Sequence, residues 1–112
     1  GNANAAKLLA KPHDKYISII TYIEFIQNAP NKSVLQACMR FIQDIHLLTL
    51  PLTENIGNRA AWIMEEYNLS RGVTMPDALI AATALEYKLP LVTQNKKHFS
   101  FIPNIELKGF RA

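Results

Sequence analysis

The segment TMPDALIAATALEYKLPLVTQN, residues 74–95, constrains the fold of this chain more than any other. Residues 78–85 are alanine, leucine and isoleucine with a single threonine, which predicts a helix that is buried on nearly every side. Asp77 stands at the head of this helix, three residues after Thr74, and Pro76 occupies the first turn, where proline is favoured. The segment therefore raises the question of whether Asp77 only caps the helix or also has a chemical role.

Helical and strand patterns alternate along the rest of the chain. Apolar β-branched runs predict strands, and apolar residues at helical spacing predict helices. This alternation indicates one α/β domain over residues 1–112, with a mainly parallel sheet. Thr21 and Glu24 have the spacing of a capping box. The predicted strands are 15–20, 46–50, 90–93 and 105–107, and the predicted helices are 3–11, 21–27, 32–44, 53–67 and the buried helix that begins after residue 74.

The composition restricts the class of protein. Of the 112 residues, 49% are hydrophobic and 19% are charged, which is typical of a globular domain. The net charge of +3 and the pI of about 9.1 permit a polyanionic partner without identifying one. The longest apolar run is too short to cross a bilayer, so we expect no membrane contact, and the low cysteine content indicates a cytoplasmic protein. The single cysteine, Cys38, excludes an internal disulfide and a cysteine-based zinc site, and its apolar neighbours predict that it is buried.

Candidate ligand residues lie near the carboxyl ends of two predicted strands, the edge where parallel α/β sheets bind ligands. Glu24 follows strand 15–20, residues 93–95 follow strand 90–93, and Asp77 heads the helix that leads into this second strand. Either acid alone is accounted for by capping of its helix. If the two carboxylates converge, their like charges need a cation between them. Oxygen ligands of this kind suit Mg²⁺ or Mn²⁺, and such an ion would support hydrolysis of a phosphodiester.

Two segments resemble a known family. YISIITYIEF, residues 16–25, resembles the strand–helix element iSxiTxxEl of PIN domains, and residues 75–107, MPDALIAATALEYKLPLVTQNKKHFSFIPNIEL, are similar to the C-terminal half of VapC-type toxins in that family. The resemblance implies a three-layer α/β/α fold. It also implies a ribonuclease dependent on Mg²⁺ or Mn²⁺ that leaves a 5′-phosphate, as the toxin of a toxin–antitoxin pair.

The resemblance also assigns roles to particular residues. Glu24 matches the second acid of the family's metal site and Asp77 matches the third. Asn95 stands where a fourth acid is expected, and its amide oxygen would bind a metal more weakly than a carboxylate. Thr93 is expected to line the site.

Residues beside this site are less specific. Lys96 and Lys97 could contact RNA phosphates, although exposed lysines on a short turn need no such role. His98 is expected to be a partly exposed structural residue rather than a proton shuttle. The aromatic residues at helical spacing are expected in the core or in a dimer contact, and they are Phe25, Phe41, Trp62 and Tyr67.

The chain departs from the family at its start. PIN domains open with a central strand that carries the first metal-binding aspartate, whereas GNANAAKLLA looks like the helix that follows it. We therefore expect strands 15–20 and 90–93 to lack an inner neighbour, with the chain a fragment or the gap closed by direct pairing, a partner or strand exchange. With one acid missing and Asn95 replacing another, we expect weak or lost activity.

The resemblance implies an RNA substrate, a cognate antitoxin and a homodimer. An alternative from another class is a non-catalytic interaction module that keeps only the toxin's dimer or antitoxin surface. A generic flavodoxin-like ligand binder is a weaker alternative, since the sequence has no glycine-rich phosphate loop.

Overall fold

A computed structural model describes the backbone of residues 8–10 and the full residues 15–109. The β-strands are β1 (Leu8–Ala10), β2 (Lys15–Ser18), β3 (Leu48–Leu50), β4 (Leu91–Thr93) and β5 (Leu107–Gly109). The α-helices are α1 (Ile19–Asn28), α2 (Lys32–Asp44), α3 (Glu54–Arg71) and α4 (Met75–Tyr87), and a 3-10 turn covers Lys96–His98. No helix in these described ranges is long and apolar enough to span a membrane.

The five strands form one sheet in the order β3-β2-β1-β4-β5. β2 is parallel to β3, and β4 is parallel to β5, while β1 is antiparallel to both of its neighbours. Four strands therefore run in the same direction, which confirms the predicted α/β domain with a mainly parallel sheet.

The centre of the sheet differs from the prediction. A helix is predicted over residues 3–11, but residues 8–10 form β1, so the prediction is wrong there, and the rest of that segment lies outside the described residues. Leu9 pairs with Tyr16 of β2 and with Leu91 of β4, so the inner edges of β2 and β4 are both paired within this chain. The edges of β2 and β4 that face each other offer many unpaired backbone N–H and C=O groups. Helix propensity contributes only tenths of a kcal/mol per residue, so pairing with these edges outweighs it and residues 8–10 form a strand.

The core forms around α4, as the sequence predicts. Its buried residues include Ala78, Ile80 and Ala81, each fully inaccessible. α3 packs closely against it and contributes Ile56 and Ile63. Because α4 presents mainly alanine, α3 can approach it closely. This packing fixes the position of the first turn of α4, which carries Asp77.

α2 lies at the surface instead of contributing to the core. Its bounds, Lys32–Asp44, agree with the prediction, but none of its residues is buried, and Phe41 is 62% exposed. Cys38 is a free thiol that is only half-buried, so the prediction that it is buried is wrong. A helical apolar pattern identifies the face of a helix that tends to be covered, but not what covers it. The main contact of α2 in the described chain is with α1.

Candidate functional site

The carboxyl ends of β2 and β4 lie level with each other in the sheet. Tyr16 and Leu91 are both paired with Leu9 of the central strand, so they stand at the same height. Two residues further along each strand, Ser18 and Thr93 are therefore also level. Two strand spacings separate their backbones, which is about 10 Å. A substrate at this edge of the sheet would reach both strand ends.

Buried polar side chains gather at the same edge, although buried polar groups need a partner or a function. In the described chain Thr83 is accounted for, since its hydroxyl donates a 2.7 Å hydrogen bond to the carbonyl of Leu79. The other buried polar residues belong to the strand ends or to the helix turns next to them, and they are Ser18, Thr21, Asp77 and Thr93.

Asp77 occupies the first turn of α4, and another residue caps that helix. The Thr74 hydroxyl accepts a hydrogen bond from the backbone N–H of Asp77 at 3.4 Å. The side chain of Asp77 is only 12% exposed, and its Oδ2 atom lies 3.9 Å from Nδ1 of His98, which follows β4. Thr74 caps the helix, so the Asp77 carboxylate does not have to. The carboxylate can therefore lie near the carboxyl edge of β4.

The start of α1 differs from the prediction. The Ser18 hydroxyl accepts a 3.0 Å hydrogen bond from the N–H of Ile20, so α1 begins at Ile19, two residues earlier than predicted. The predicted capping box of Thr21 and Glu24 is therefore wrong. A serine at the end of a buried strand is an effective N-cap, and it makes the later cap unnecessary.

Glu24 consequently has no capping function. Its Oε1 atom is buried and has no hydrogen-bond partner in the described part of the chain, and the same is true of the hydroxyl oxygen of Thr21, one turn earlier on the same face. α1 packs against α4, the helix that carries Asp77. An unsatisfied buried carboxylate oxygen is costly, so it indicates a ligand for this atom.

Thr93 and Asn95 form a tight turn at the end of β4. The hydroxyl of Thr93, which is 2% exposed, accepts a 3.1 Å hydrogen bond from the N–H of Asn95. Asn95 precedes the 3-10 turn, but its exposed side chain makes no capping hydrogen bond there. The two residues are thus neighbours at the edge of the site, and the Asn95 amide does not cap the 3-10 turn.

A cleft of about 560 Å³ adjoins Thr93. It is lined by residues 93–98 and by Gly109, which pairs with Thr93 from β5. Lys96, Lys97 and His98 are all exposed there. The segment that the sequence marks as a candidate site therefore forms the wall of a basic cleft beside the buried polar residues.

Glu24 and Asp77 carry carboxylate oxygens, the donor type that a hard divalent cation prefers. Among the described residues there is no group of three His, Cys, Asp or Glu side chains that could hold a metal ion. Mg²⁺ keeps several water ligands, however, and is commonly bound through one or two carboxylates. The Oε1 atom of Glu24, buried and without a hydrogen-bond partner in the described residues, is a suitable ligand for such an ion. Such a site would be weaker than one with four acids.

Two features of the site were missed by sequence reasoning. Ser18 and Thr21 both lie within the YISIITYIEF segment, so the sequence carries a signal for them, but the spacing of Thr21 and Glu24 indicates capping instead. Gly109 gave no signal, since it lies beyond the predicted last strand and reaches the site only through the register of β5 with β4.

A mainly parallel α/β sheet with buried polar residues at its carboxyl edge defines the class of open α/β folds, which bind their ligands at that edge. Within it, the family model for the PIN domain matches residues 1–103, and the chain belongs to the PIN domain family.

Comparison with solved structures points to one branch of that family. The chain is similar to a toxin–antitoxin complex from Klebsiella pneumoniae, with 27% identity over 86% of this chain and 74% of that chain and a TM-score of 0.66. It is also similar to DNA-bound VapBC from Salmonella typhimurium, with 26% identity over 84% and 74% of the two chains and a TM-score of 0.69. No curated protein matches. The predicted VapC-type PIN domain and its fold are thereby confirmed.

Proposed function

We propose that this VapC-like chain is a divalent-metal-dependent endoribonuclease of low activity. The observation that carries the proposal is the buried, unsatisfied Oε1 atom of Glu24, on a helix packed against the helix of Asp77. Both acids match the family's metal-site acids in sequence. Low activity is the expectation from the donors among the described residues, since two carboxylates and an amide hold a cation less tightly than four carboxylates.

Each residue of the site has a distinct part in this proposal. Glu24 and Asp77 would supply the carboxylate oxygens for Mg²⁺ or Mn²⁺, and the amide oxygen of Asn95 would support the ion or its water. Nδ1 of His98 lies 3.9 Å from Oδ2 of Asp77, and the histidine would help to position that carboxylate. Thr93 can still donate its hydroxyl proton to a phosphate oxygen, since its observed bond uses it only as an acceptor.

The reaction would be hydrolysis of an RNA phosphodiester. A water oxygen bonds to phosphorus while the bond to the 3′-oxygen breaks, which gives a 3′-hydroxyl and a 5′-phosphate. When bound, the divalent ion would stabilise the charge on the phosphate and lower the pKa of a bound water. The buried polar edge holds the phosphate and the carboxylates in fixed positions, which favours reaction because little reorganisation is needed.

Cleavage of a labelled single-stranded RNA tests the proposal. We expect slow cleavage with Mn²⁺ or Mg²⁺, none with a chelator, and loss of the activity in Asp77→Asn. Glu54→Gln is the matched control, because Glu54 is also a first-turn acid but belongs to α3. No cleavage under any metal condition, or cleavage that Asp77→Asn leaves intact, would contradict the proposal.

A second candidate function is that of a non-catalytic partner-binding module. It is favoured by an apolar groove on α1 and α2, whose lining residues are Phe25, Val34, Ala37, Cys38, Phe41 and Ile42. The similar structures are toxin–antitoxin complexes. We propose that an apolar segment of a cognate antitoxin occupies this groove. Homodimerisation stays a prediction of the family resemblance.

Two exposed apolar residues allow a matched test of the groove. Phe41 is 62% exposed within it, and Leu69 is 99% exposed on α3. We expect Phe41→Ser to weaken binding of the cognate antitoxin, and Leu69→Ser to leave it unchanged. Equal effects of the two substitutions would refute the assignment of the groove. If antitoxin binding persists while all RNA cleavage is absent, the non-catalytic function replaces the nuclease.

A further inference from the structure

The basic cleft beside Thr93 contains one lysine in an unusual position. A Cβ atom placed on Gly109 would lie 3.7 Å from Nζ of Lys96 and 3.8 Å from its Cε. The Lys96 side chain therefore extends over the backbone of Gly109, at the end of β5. The φ angle of Gly109 is not positive, so its backbone does not require glycine. The absence of a side chain instead leaves space for the end of the Lys96 side chain.

This position places a cation next to the candidate site. Gly109 is paired with Thr93, one strand spacing of about 5 Å away, and both residues line the cleft. Lys96 has no ion-pair partner in the described part of the chain. The ammonium group is therefore available to an anionic ligand at the carboxyl edge of the sheet.

We infer that Lys96, extended over Gly109, forms a subsite for a backbone phosphate of RNA next to the phosphate that is cleaved. This inference rests on the proposed nuclease function and adds a binding element to it. The ligand is a phosphodiester, because a single ammonium group recognises charge and not the edge of a base. The 560 Å³ cleft provides room for the nucleotide that carries this phosphate.

Gly109 is a positioning residue in this arrangement. An alanine at this position would make only ordinary van der Waals contact with Lys96. A valine would occupy the space of the ammonium group and displace it from the strand end. Lys97 also lines the cleft, but nothing in the structure fixes it over β5.

Binding, rather than cleavage, tests the subsite. The affinity of a short single-stranded RNA is measured by fluorescence anisotropy without divalent ions, over a series of salt concentrations. Removal of one phosphate contact from single-stranded nucleic acid reduces the slope of log affinity against log salt by about 0.7, which is about fivefold in affinity at about 0.1 M salt. We expect this loss in Lys96→Gln and in Gly109→Val, and no further loss when the two are combined.

Lys15→Gln is the matched control. Lys15 is an exposed lysine at the opposite, amino end of β2, so its removal changes the net charge equally and should leave the slope unchanged. We expect the same loss on single-stranded DNA of the same sequence, since the contact is to phosphate. Equal slopes for Lys96→Gln and Lys15→Gln, additive effects of the two cleft substitutions, or a loss confined to RNA would each overturn the subsite.

The two proposals fail separately. Cleavage that depends on Asp77, with binding that is indifferent to Lys96, removes the subsite and keeps the nuclease. Binding that depends on Lys96 and Gly109 without any cleavage keeps the phosphate subsite and removes the nuclease. Circular dichroism of each variant checks that the fold is retained.

Discussion

Nδ1 of His98 lies 3.9 Å from Oδ2 of Asp77, with His98 62% exposed and Asp77 only 12% exposed at the side chain. An exposed histidine beside a buried carboxylate is suited to orienting it. If His98 only orients Asp77, His98→Ala should lower the rate of RNA cleavage by less than tenfold. A general acid or base contributes about 10² to 10⁴ in rate, so a loss of that size would instead make His98 a proton carrier.

Glu24→Gln is expected to stabilise the metal-free protein. The substitution removes the negative charge from a side chain whose buried Oε1 atom has no partner in the described chain. A neutral amide loses less hydration on burial than a carboxylate does, so the substitution should raise the free energy of unfolding by about 1 kcal/mol, or Tm by about 4 °C. Added Mn²⁺ should raise the Tm of the unmodified chain and not that of the variant. A lower Tm for the variant without metal would show that the carboxylate is satisfied.

Thr74 and Thr53 provide a matched pair of helix caps. Their hydroxyls accept hydrogen bonds from the N–H groups of Asp77 at 3.4 Å and Ile56 at 3.2 Å. Alanine at either position should reduce stability by about 1 kcal/mol in a denaturant titration. Only Thr74→Ala should also weaken Mn²⁺ binding, because it loosens the turn that holds Asp77. Equal Mn²⁺ affinity in the two variants would show that the Thr74 cap does not contribute to metal binding.

The pKa of Glu86 should lie below its ordinary value. The hydrogen bond from Arg59 is the main cause, and a second one comes from Asn55. Because the folded-state pKa is lowered, the pair contributes stability above the ordinary carboxyl pKa, and this is lost as pH falls through the lowered value. NMR titration of the Glu86 carboxyl should give a low pKa that rises in Arg59→Ala. An unchanged pKa in that variant would rule out the guanidinium as its cause.

The sequence predicts those parts of the fold whose determinants are local. α2 has the predicted bounds, and α3 and α4 begin at or within one residue of their predicted starts, because cap residues and helical periodicity act within a few residues. The errors occur where distant segments compete. β1 forms because two strand edges face each other. The exposure of Cys38 depends on which segments pack against its helix, and the sequence of that helix does not show this.

The candidate site was predictable to a similar extent. Asp77, Thr93 and Asn95 come from one continuous segment in which a helix leads directly into a strand, so the first turn of that helix is expected near the carboxyl end of the strand. The free Glu24 oxygen depends on Ser18 taking the cap, which the Thr21–Glu24 spacing obscured. The Lys96–Gly109 contact requires the pairing of β4 with β5, and no local pattern encodes that register.

Direct measurement of Mn²⁺ binding tests the central claim most directly. Electron paramagnetic resonance of free Mn²⁺ in titrations of the unmodified chain, Asp77→Asn, Glu24→Gln and Glu54→Gln gives each affinity without relying on turnover. We predict one weak site in the unmodified chain, retained in Glu54→Gln and lost in the other two variants. Binding that survives in Asp77→Asn and Glu24→Gln, or its absence from the unmodified chain, would contradict a metal centre at the carboxyl edge of the sheet.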